Sequence, residues 1–381
     1  MRFGIAGAGF SGAVIARELA ESGHTVEVFD TRSHVGGNCH TERDSESDVL
    51  VHRYGPHIFH TADERVWEYI NRFGEMRPFN HRVRTTVDGK VYLLPINLLT
   101  INQLFDKAMG PDEAREFIAE QSDQSIDEPA NFEEQALKFV GRKIYETFFY
   151  GYTKKQWGCE PTQLPASILK RLPVRFNYDD SYYAHPYQAM PVDGYTPIVE
   201  SILDHDGITV ALNTAFDPNQ AADFDHVIWT GPLDAWFGFK HERLRYRTLN
   251  FEEFHAEGDF QGCSVMNYGN ADVPYTRITE HKHFTPWESH DKTVCYREYS
   301  RAMEPDDIPY YPIRLTDDRT VLDRYLDEAS QATGVSFVGR LGTYRYLDMD
   351  VTIGEALTAA DEIKAAIAEE RSIPSMFVDP R

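Results

Sequence analysis

A glycine turn set between a strand and a helix constrains this chain more than any other stretch. Residues Arg2 to Ala6 read as a strand that runs into Gly7-Ala8-Gly9-Phe10-Ser11-Gly12, a G-x-G-x-x-G pattern. A helical pattern follows in Ala13, Ile15, Ala16, Leu19 and Ala20, closed by Gly23, and Thr25 to Phe29 is a second strand ending on Asp30. Gly7 permits the tight turn, Gly9 lets backbone approach a pyrophosphate, and Gly12 lets the helix pack close to the strand. The helix N-terminus adds free N–H groups and roughly half a positive charge. Asp30, 18 residues beyond Gly12, is placed to accept from a ribose hydroxyl. Strand, turn, helix, strand and acid in that order predict a Rossmann-like α/β domain for a dinucleotide.

The next residues select among dinucleotides. Arg32 and Val35-Gly36-Gly37-Asn38 carry the acid strand into a second glycine pair. An NAD domain has no need of that pair, whereas an FAD domain passes its chain close to the longer cofactor. The reading is therefore FAD.

Composition bounds the rest. A chain of 381 residues can hold two or three domains with substantial cores. Its net charge of −23 argues against nucleic acid and anionic membranes as partners. A phosphorylated ligand would need a local basic pocket in an acidic surface. Cys39, Cys159, Cys263 and Cys295 form no C-x-x-C pair and no metal-type spacing, so free thiols in a reducing cytosol and no metal site are expected. The longest uncharged apolar run, Val91 to Phe105, is broken by Pro95, Asn97 and Asn102 and is too short for a bilayer. With no signal peptide ahead of the first strand, a soluble cytoplasmic protein is expected.

Along the chain, Thr41 to Asp48 reads as a surface loop and Val49 to His52 as a short strand. His57 and His60 lie in the Gly-Pro turn segment that follows, where they are either structural or close to the cofactor. A helix is predicted over Asp63 to Phe73, and a hairpin over Phe79 to Leu94 about the Asp88-Gly89 turn. Helices then fill Asn102 to Met109, Pro111 to Gln121, Phe132 to Val140 and Gly141 to Tyr152. Ile208 to Phe216 and His226 to Gly231 read as buried parallel strands, and several short strands between Phe237 and Tyr311 suggest an antiparallel sheet. Val335 to Val338, the Gly339–Gly342 turn, and a helix from Thr352 to about Glu370 again aim a helix start at a ligand.

These stretches together resemble the prokaryotic UDP-galactopyranose mutases. The resemblance is carried, in order and over nearly the whole chain, by GAGFSGAVIA, VGGNCHTE, YGPHIFHT, GYTKKQWG, LPVRFNYDDSYY, PVDGYT, VPYTRITEHKHF, YYPI and GRLGTYRYLDMDVTIGEAL. Asp30 departs mildly from the family's more usual Glu; either carboxylate can hold a ribose. The resemblance implies a Rossmann-like FAD-binding domain with an inserted helical domain and an antiparallel β-sheet domain. The FAD-binding part would take 1–76, 188–240 and 315–381, the helical part 98–175, and the sheet 77–97, 176–187 and 241–314. It also implies interconversion of UDP-galactopyranose and UDP-galactofuranose without net redox change. N5 of reduced FAD would attack the anomeric carbon, with UDP leaving and returning.

The same resemblance assigns residues. Arg171 and Arg277 match the two diphosphate-binding arginines, although either taken alone would read as a solvated surface charge. Phe148, Tyr152, Thr153 and Trp157 would form a uridine pocket with a mobile loop about Trp157; on composition alone they are a helix end with a buried aromatic face. Tyr182, Tyr311 and Tyr346 match diphosphate-binding tyrosines, and Asn80, Arg247 and Asn267 carry over to the same pocket. His57 goes to the isoalloxazine neighbourhood, among the catalytic positions but not as a general base. Gly7, Gly9, Phe10, Ser11, Gly12 and Arg340 would hold the FAD pyrophosphate, and Asp30, Arg32 and Phe216 its adenosine end. Gly37, Asn38 and Pro56 would follow along the cofactor, and Leu347, Asp348, Met349 and Val351 its ribityl chain and flavin. An electron donor for the flavin and a homodimer or larger homo-oligomer complete the expectation. Two other readings share some of these motifs: a redox flavoenzyme of the amine oxidase type, and a non-catalytic flavoprotein that binds UDP-sugars.

Overall fold

The computed structural model describes the backbone of residues 1–171, 174–314 and 319–381, and their side chains except those of 170 and 171. Arg2–Ala6 and Thr25–Phe29 are strands flanking the helix Phe10–Glu21, as the opening pattern predicts. The first strand sits at the centre of a five-stranded parallel sheet, with Thr25–Phe29 and then Ile208–Ala211 on one side, His226–Trp229 and Val335–Phe337 on the other. Chain order reverses at that first strand, so a crevice opens beyond its carboxyl end, where α/β sheets take ligands. The helices Phe10–Glu21, Tyr195–Leu203 and Met349–Ala368 cover one face, burying Ile15, Leu19, Ile198, Ile353 and Leu357 against it.

The 208–216 stretch departs from expectation. Its strand stops at Ala211 and forms the edge of the sheet, with Thr209 and Val210 exposed. An edge strand has one free flank, so its apolar run is not evidence of burial on both sides. The 41–48 segment also differs: Thr41–Arg43 pairs with Leu50–His52, because Thr196 ties Thr41 down through its backbone N–H at 2.8 Å.

A second, seven-stranded sheet holds, in spatial order, Tyr311–Pro312, Tyr246–Glu257, Lys292–Ala302, Arg277–Glu280, Val265–Tyr268, Val83–Val87 and Lys90–Leu94. Where short strands were expected, two long ones run side by side from the pair Arg247–Ala302 to the pair Glu257–Lys292. Their polar residues alternate with apolar ones and therefore fall on one face without breaking the ladder. All neighbours are antiparallel except Val265–Tyr268, which runs parallel to Val83–Val87. Asp88 and Gly89 both take positive φ, 51° and 73°, the twist that suits a two-residue hairpin.

Against the seven-stranded sheet pack the helices Leu98–Phe105, Pro111–Gln121 and Phe132–Ile144, a π-helical turn Tyr145–Tyr150, and the helix Gly151–Trp157. The first begins four residues before Asn102 because Asn97 caps it, accepting from the Thr100 N–H at 3.0 Å. The helical run bends at Gly141 (φ 76°, ψ 170°), where any Cβ would lie 2.2 Å from the Gln121 carbonyl oxygen. All four cysteines are free. Among the described residues no helix is long and apolar enough to cross a membrane.

Candidate active site

The crevice at the end of the first strand is lined by two glycine turns in contact. Gly7 takes φ 112°, and a Cβ there would sit 2.0 Å from Thr230 Oγ1; one on Gly12 would sit 2.0 Å from the Gly7 carbonyl oxygen. A Cβ on Gly37 would lie 3.2 Å from the Gly9 Cα, so the second glycine pair closes on the first and both border one groove. Phe10 and Ser11 open the helix there, and no side chain caps it. Asp30 has a further task beside the one expected. Its Oδ2 accepts from the Ala8 N–H at 2.8 Å and its Oδ1 from the Arg32 N–H at 2.9 Å, so it braces the turn it follows. Arg32 donates to Asn38 Oδ1 at 2.7 Å and lies over the Tyr54 ring, while its Nη1 is buried without a protein partner.

The C-terminal turn closes on the same helix start, a Cβ on Gly339 falling 2.6 Å from Ser11 Oγ. Arg340 donates to the Leu347 and Tyr310 carbonyl oxygens at 2.6 and 3.3 Å. Asp348 stands at the N-cap of Met349–Ala368, again without a side-chain cap, Leu347 is buried and Val351 exposed. His57 follows Pro56 with Nδ1 2.9 Å from the Gly55 carbonyl oxygen, which fixes its proton on Nδ1. Burial first, and then the Arg340 charge, push its pKa down to about 4, so it is neutral at pH 7. Phe216 does not end a strand. It is packed with Phe29, Phe224 and Trp229 as part of the core beneath the groove.

The second wall comes from one face of the seven-stranded sheet. Directly paired strand residues share a face, and the register pairs Asn267 with Arg277, Arg277 with Glu298, and Tyr311 with Arg247. Glu298 faces Phe251, which lies on the same side as Arg247 four residues earlier in the same strand. Arg277 donates from Nε to Glu298 Oε1 at 3.1 Å, which leaves its two Nη groups for other partners. Burial opposes its charge, but Glu298 and the neighbouring tyrosines outweigh that and raise its pKa well above the usual arginine value. Tyr182 and Tyr152 border the same charges. Burial and then Tyr152 push Tyr182 up to about 12, and burial likewise raises Tyr152. Tyr311 and Tyr346 stack at 5.7 Å between ring centroids, and the Arg340 guanidinium sits 5.0 Å from the Tyr346 ring. Arg340 thus joins the cofactor groove to the tyrosine cluster.

The remaining candidates are placed less uniformly. Phe148 and Thr153 are buried, Phe148 against Tyr92 at 5.1 Å. Trp157 is the last residue of a helix capped by Gly158, where a loop was expected, and it packs on the helical core. Arg247 is only 5% exposed and donates from Nε to the Gln156 carbonyl oxygen at 3.1 Å, so it holds that helix end. Asn267 presents a buried Oδ1 without a partner. Asn80 is exposed and donates to Ser181 Oγ at 2.9 Å. The side chain of Arg171 lies outside the described residues.

Sequence reasoning missed Glu298, whose side chain is 2% exposed. The signal was present in Lys292–Ala302: Val294, Tyr296 and Glu298 alternate onto the buried face. His60, read with His57 as structural or close to the cofactor, stacks on Tyr183 at 3.6 Å with Nδ1 2.9 Å from His185 Nδ1.

A sequence model of the UDP-galactopyranose mutase family matches residues 147–346, and one of NAD(P)-binding Rossmann-like domains matches 5–73. "Probable UDP-galactopyranose mutase" of Klebsiella pneumoniae is 58% identical over 99% of this chain and 98% of its own. The chain belongs to the UDP-galactopyranose mutase family. By that membership it is an isomerase. The dTDP-fucopyranose mutase of Escherichia coli is 51% identical over 93% of this chain and 96% of its own. A crystal structure of reduced UDP-galactopyranose mutase superposes with a TM-score of 0.76 over 99% of this chain and 98% of that one, at 15% identity, and shows the shared fold.

Proposed function

We propose that this isomerase interconverts UDP-galactopyranose and UDP-galactofuranose on FAD held reduced by an electron donor. The observation that carries the reading is the contact of Arg340 with Tyr346, which sets a dinucleotide groove against a wall bearing Arg277 and three tyrosines. The groove fits FAD: glycine turns leave no Cβ where a pyrophosphate would lie, two helix starts lack side-chain caps, and buried Arg32 Nη1 awaits an acceptor. Gly7, Gly9, Phe10, Ser11, Gly12 and Arg340 would hold the pyrophosphate, Asp30 and Arg32 the adenosine end, and Gly37, Asn38, Pro56, Leu347, Asp348, Met349 and Val351 the rest. Bound and reduced, FAD supplies an electron-rich N5 able to displace UDP from the anomeric carbon.

The chain's own work is to receive the leaving diphosphate and keep out water. Arg277, with Arg171 by resemblance, takes the charge that builds on the departing β-phosphate. Burial raises the pKa of Tyr182 and Tyr311, so these phenols, with that of Tyr346 beside them, donate without adding charge that would hinder release. Tyr152, Thr153, Phe148 and Trp157 enclose the nucleoside, and Asn267 offers it an acceptor. Neutral His57 keeps a free Nε2 beside the cofactor. The three-part division of the chain and a homo-oligomeric state belong to the same reading.

The E. coli relative supports a second reading, in which the sugar is a 6-deoxyhexose on dTDP. Purified, dithionite-reduced protein should convert UDP-galactofuranose on an anion-exchange column. Conversion of dTDP-fucopyranose alone would move the assignment to that substrate, and steady oxygen consumption with an amine would move it to an oxidase.

A further inference from the structure

Lys155 lies on Gly151–Trp157, the helix that also bears Tyr152, Thr153 and Trp157, and its ammonium leaves that helix altogether. Nζ donates to the carbonyl oxygens of Tyr268, Asn270 and Tyr275 at 2.6, 2.8 and 3.0 Å. An ammonium has three donors, and here all three are spent on backbone of one connection between strands. That connection starts directly after Tyr268, which follows Asn267 in its strand, and ends at Thr276, directly before Arg277. The helix is pressed against it: a Cβ on Gly151 would lie 2.2 Å from the Gly269 carbonyl oxygen. Side-chain ties on the far side, Asn270 to Asp88 at 2.6 Å and the Asp88 N–H to Asn270 at 3.0 Å, hold the loop to the hairpin turn but not to the helix. Burial of the ammonium pushes its pKa down to about 8, which is the cost of using it there.

We infer that Lys155 is a positioning residue that sets the width of the nucleotide cleft, by fixing the helix of Tyr152, Thr153 and Trp157 against the strands of Asn267 and Arg277. The inference rests on the reading that this cleft takes a nucleoside diphosphate. Lys155 touches neither substrate nor cofactor and acts through the walls it joins. Removing it leaves three carbonyl oxygens without a donor and lets the walls part, and a parted cleft weakens binding before it slows chemistry.

The test is Lys155→Met and Lys155→Arg in the FAD-loaded, reduced enzyme, with UDP affinity by calorimetry and turnover across substrate concentration. K155M should raise both the UDP Kd and KM by roughly tenfold or more while kcat stays within about threefold and flavin content is unchanged. K155R, which keeps charge and donors, should recover most of the affinity. Equal falls in kcat and kcat/KM, or an unchanged UDP Kd in K155M, would overturn the inference. Should K155M fail to fold, Lys155→Gln, which lacks the ammonium's three donors, carries the same test, a raised KM at unchanged kcat supporting it and a fall in kcat alone overturning it. Wild-type protein that does not bind UDP would overturn the nucleotide reading itself, a different result from wild-type binding that Lys155 does not influence.

Discussion

Arg277 and Glu298 should behave as a coupled pair, and the coupling has a sign. Arg277 gives one nitrogen to Glu298 at 3.1 Å and, in the proposed function, keeps two for the diphosphate. In Arg277→Ala the phosphate loses a charge-assisted partner, worth about 3–4 kcal/mol when such a donor serves the transition state. That is about 10²–10³ in turnover. The loss should fall at the upper end, because Glu298, 2% exposed, is then an unpaired carboxylate facing a dianion. Arg277→Ala/Glu298→Gln removes that charge and should regain about tenfold over the single variant, the double change being better than the sum of its parts. The assay is conversion of UDP-galactofuranose by dithionite-reduced protein, normalised to flavin absorbance. Normal turnover in R277A would refute the diphosphate role. A double variant no better than R277A would refute the claim that Glu298 bears on the same charge.

Arg171→Ala should retain FAD and largely abolish isomerisation; equal turnover by wild type and variant would remove Arg171 from the site. Trp157→Ala should weaken UDP binding more than FAD binding, as fluorescence titration and flavin content will report, and the reverse order would make Trp157 purely a core residue. Oxidised protein should turn over almost no UDP-galactofuranose until reductant is added, and full activity without reductant would refute the N5 mechanism. Buried His81, His281 and His226 have pKa values pushed down by burial to about 3, 3 and 4. Their neutral forms favour the fold fully above the ordinary pKa of 6.5, and that stability is lost as pH falls towards 4, where the unfolded chain binds more protons. Each histidine adds a slope of about 1.4 kcal/mol per pH unit in that window. Melting temperature should drop steeply from pH 6.5 to 5, and His226→Asn should flatten the fall.

What could be read along the chain was whatever depends on neighbours in sequence. The glycine turn, its flanking strands and Asp30 are local: φ at Gly7 and close approach at Gly12 admit no other side chain. The break at Gly141 and the turn at Asp88-Gly89 were legible for the same reason, each being a backbone conformation written into one or two residues. Strand length between Tyr246 and Ala302 was not, because charged residues on one face of a two-sided ladder look like interruptions until the partner strand is known. Nor was the edge position of Ile208–Ala211, since only sheet order distinguishes an edge strand from a central one. The site divides the same way. The residue types of the glycine turn are forced locally, whereas the meeting of Asn267, Arg277 and Glu298 on one face is a matter of register between three strands. The chain alone could thus name the turns that would hold a dinucleotide. Only tertiary structure could put Arg247 under a helix end, spend Lys155 on three distant carbonyls, and bring Arg340 over Tyr311, because those contacts join segments that no periodicity connects.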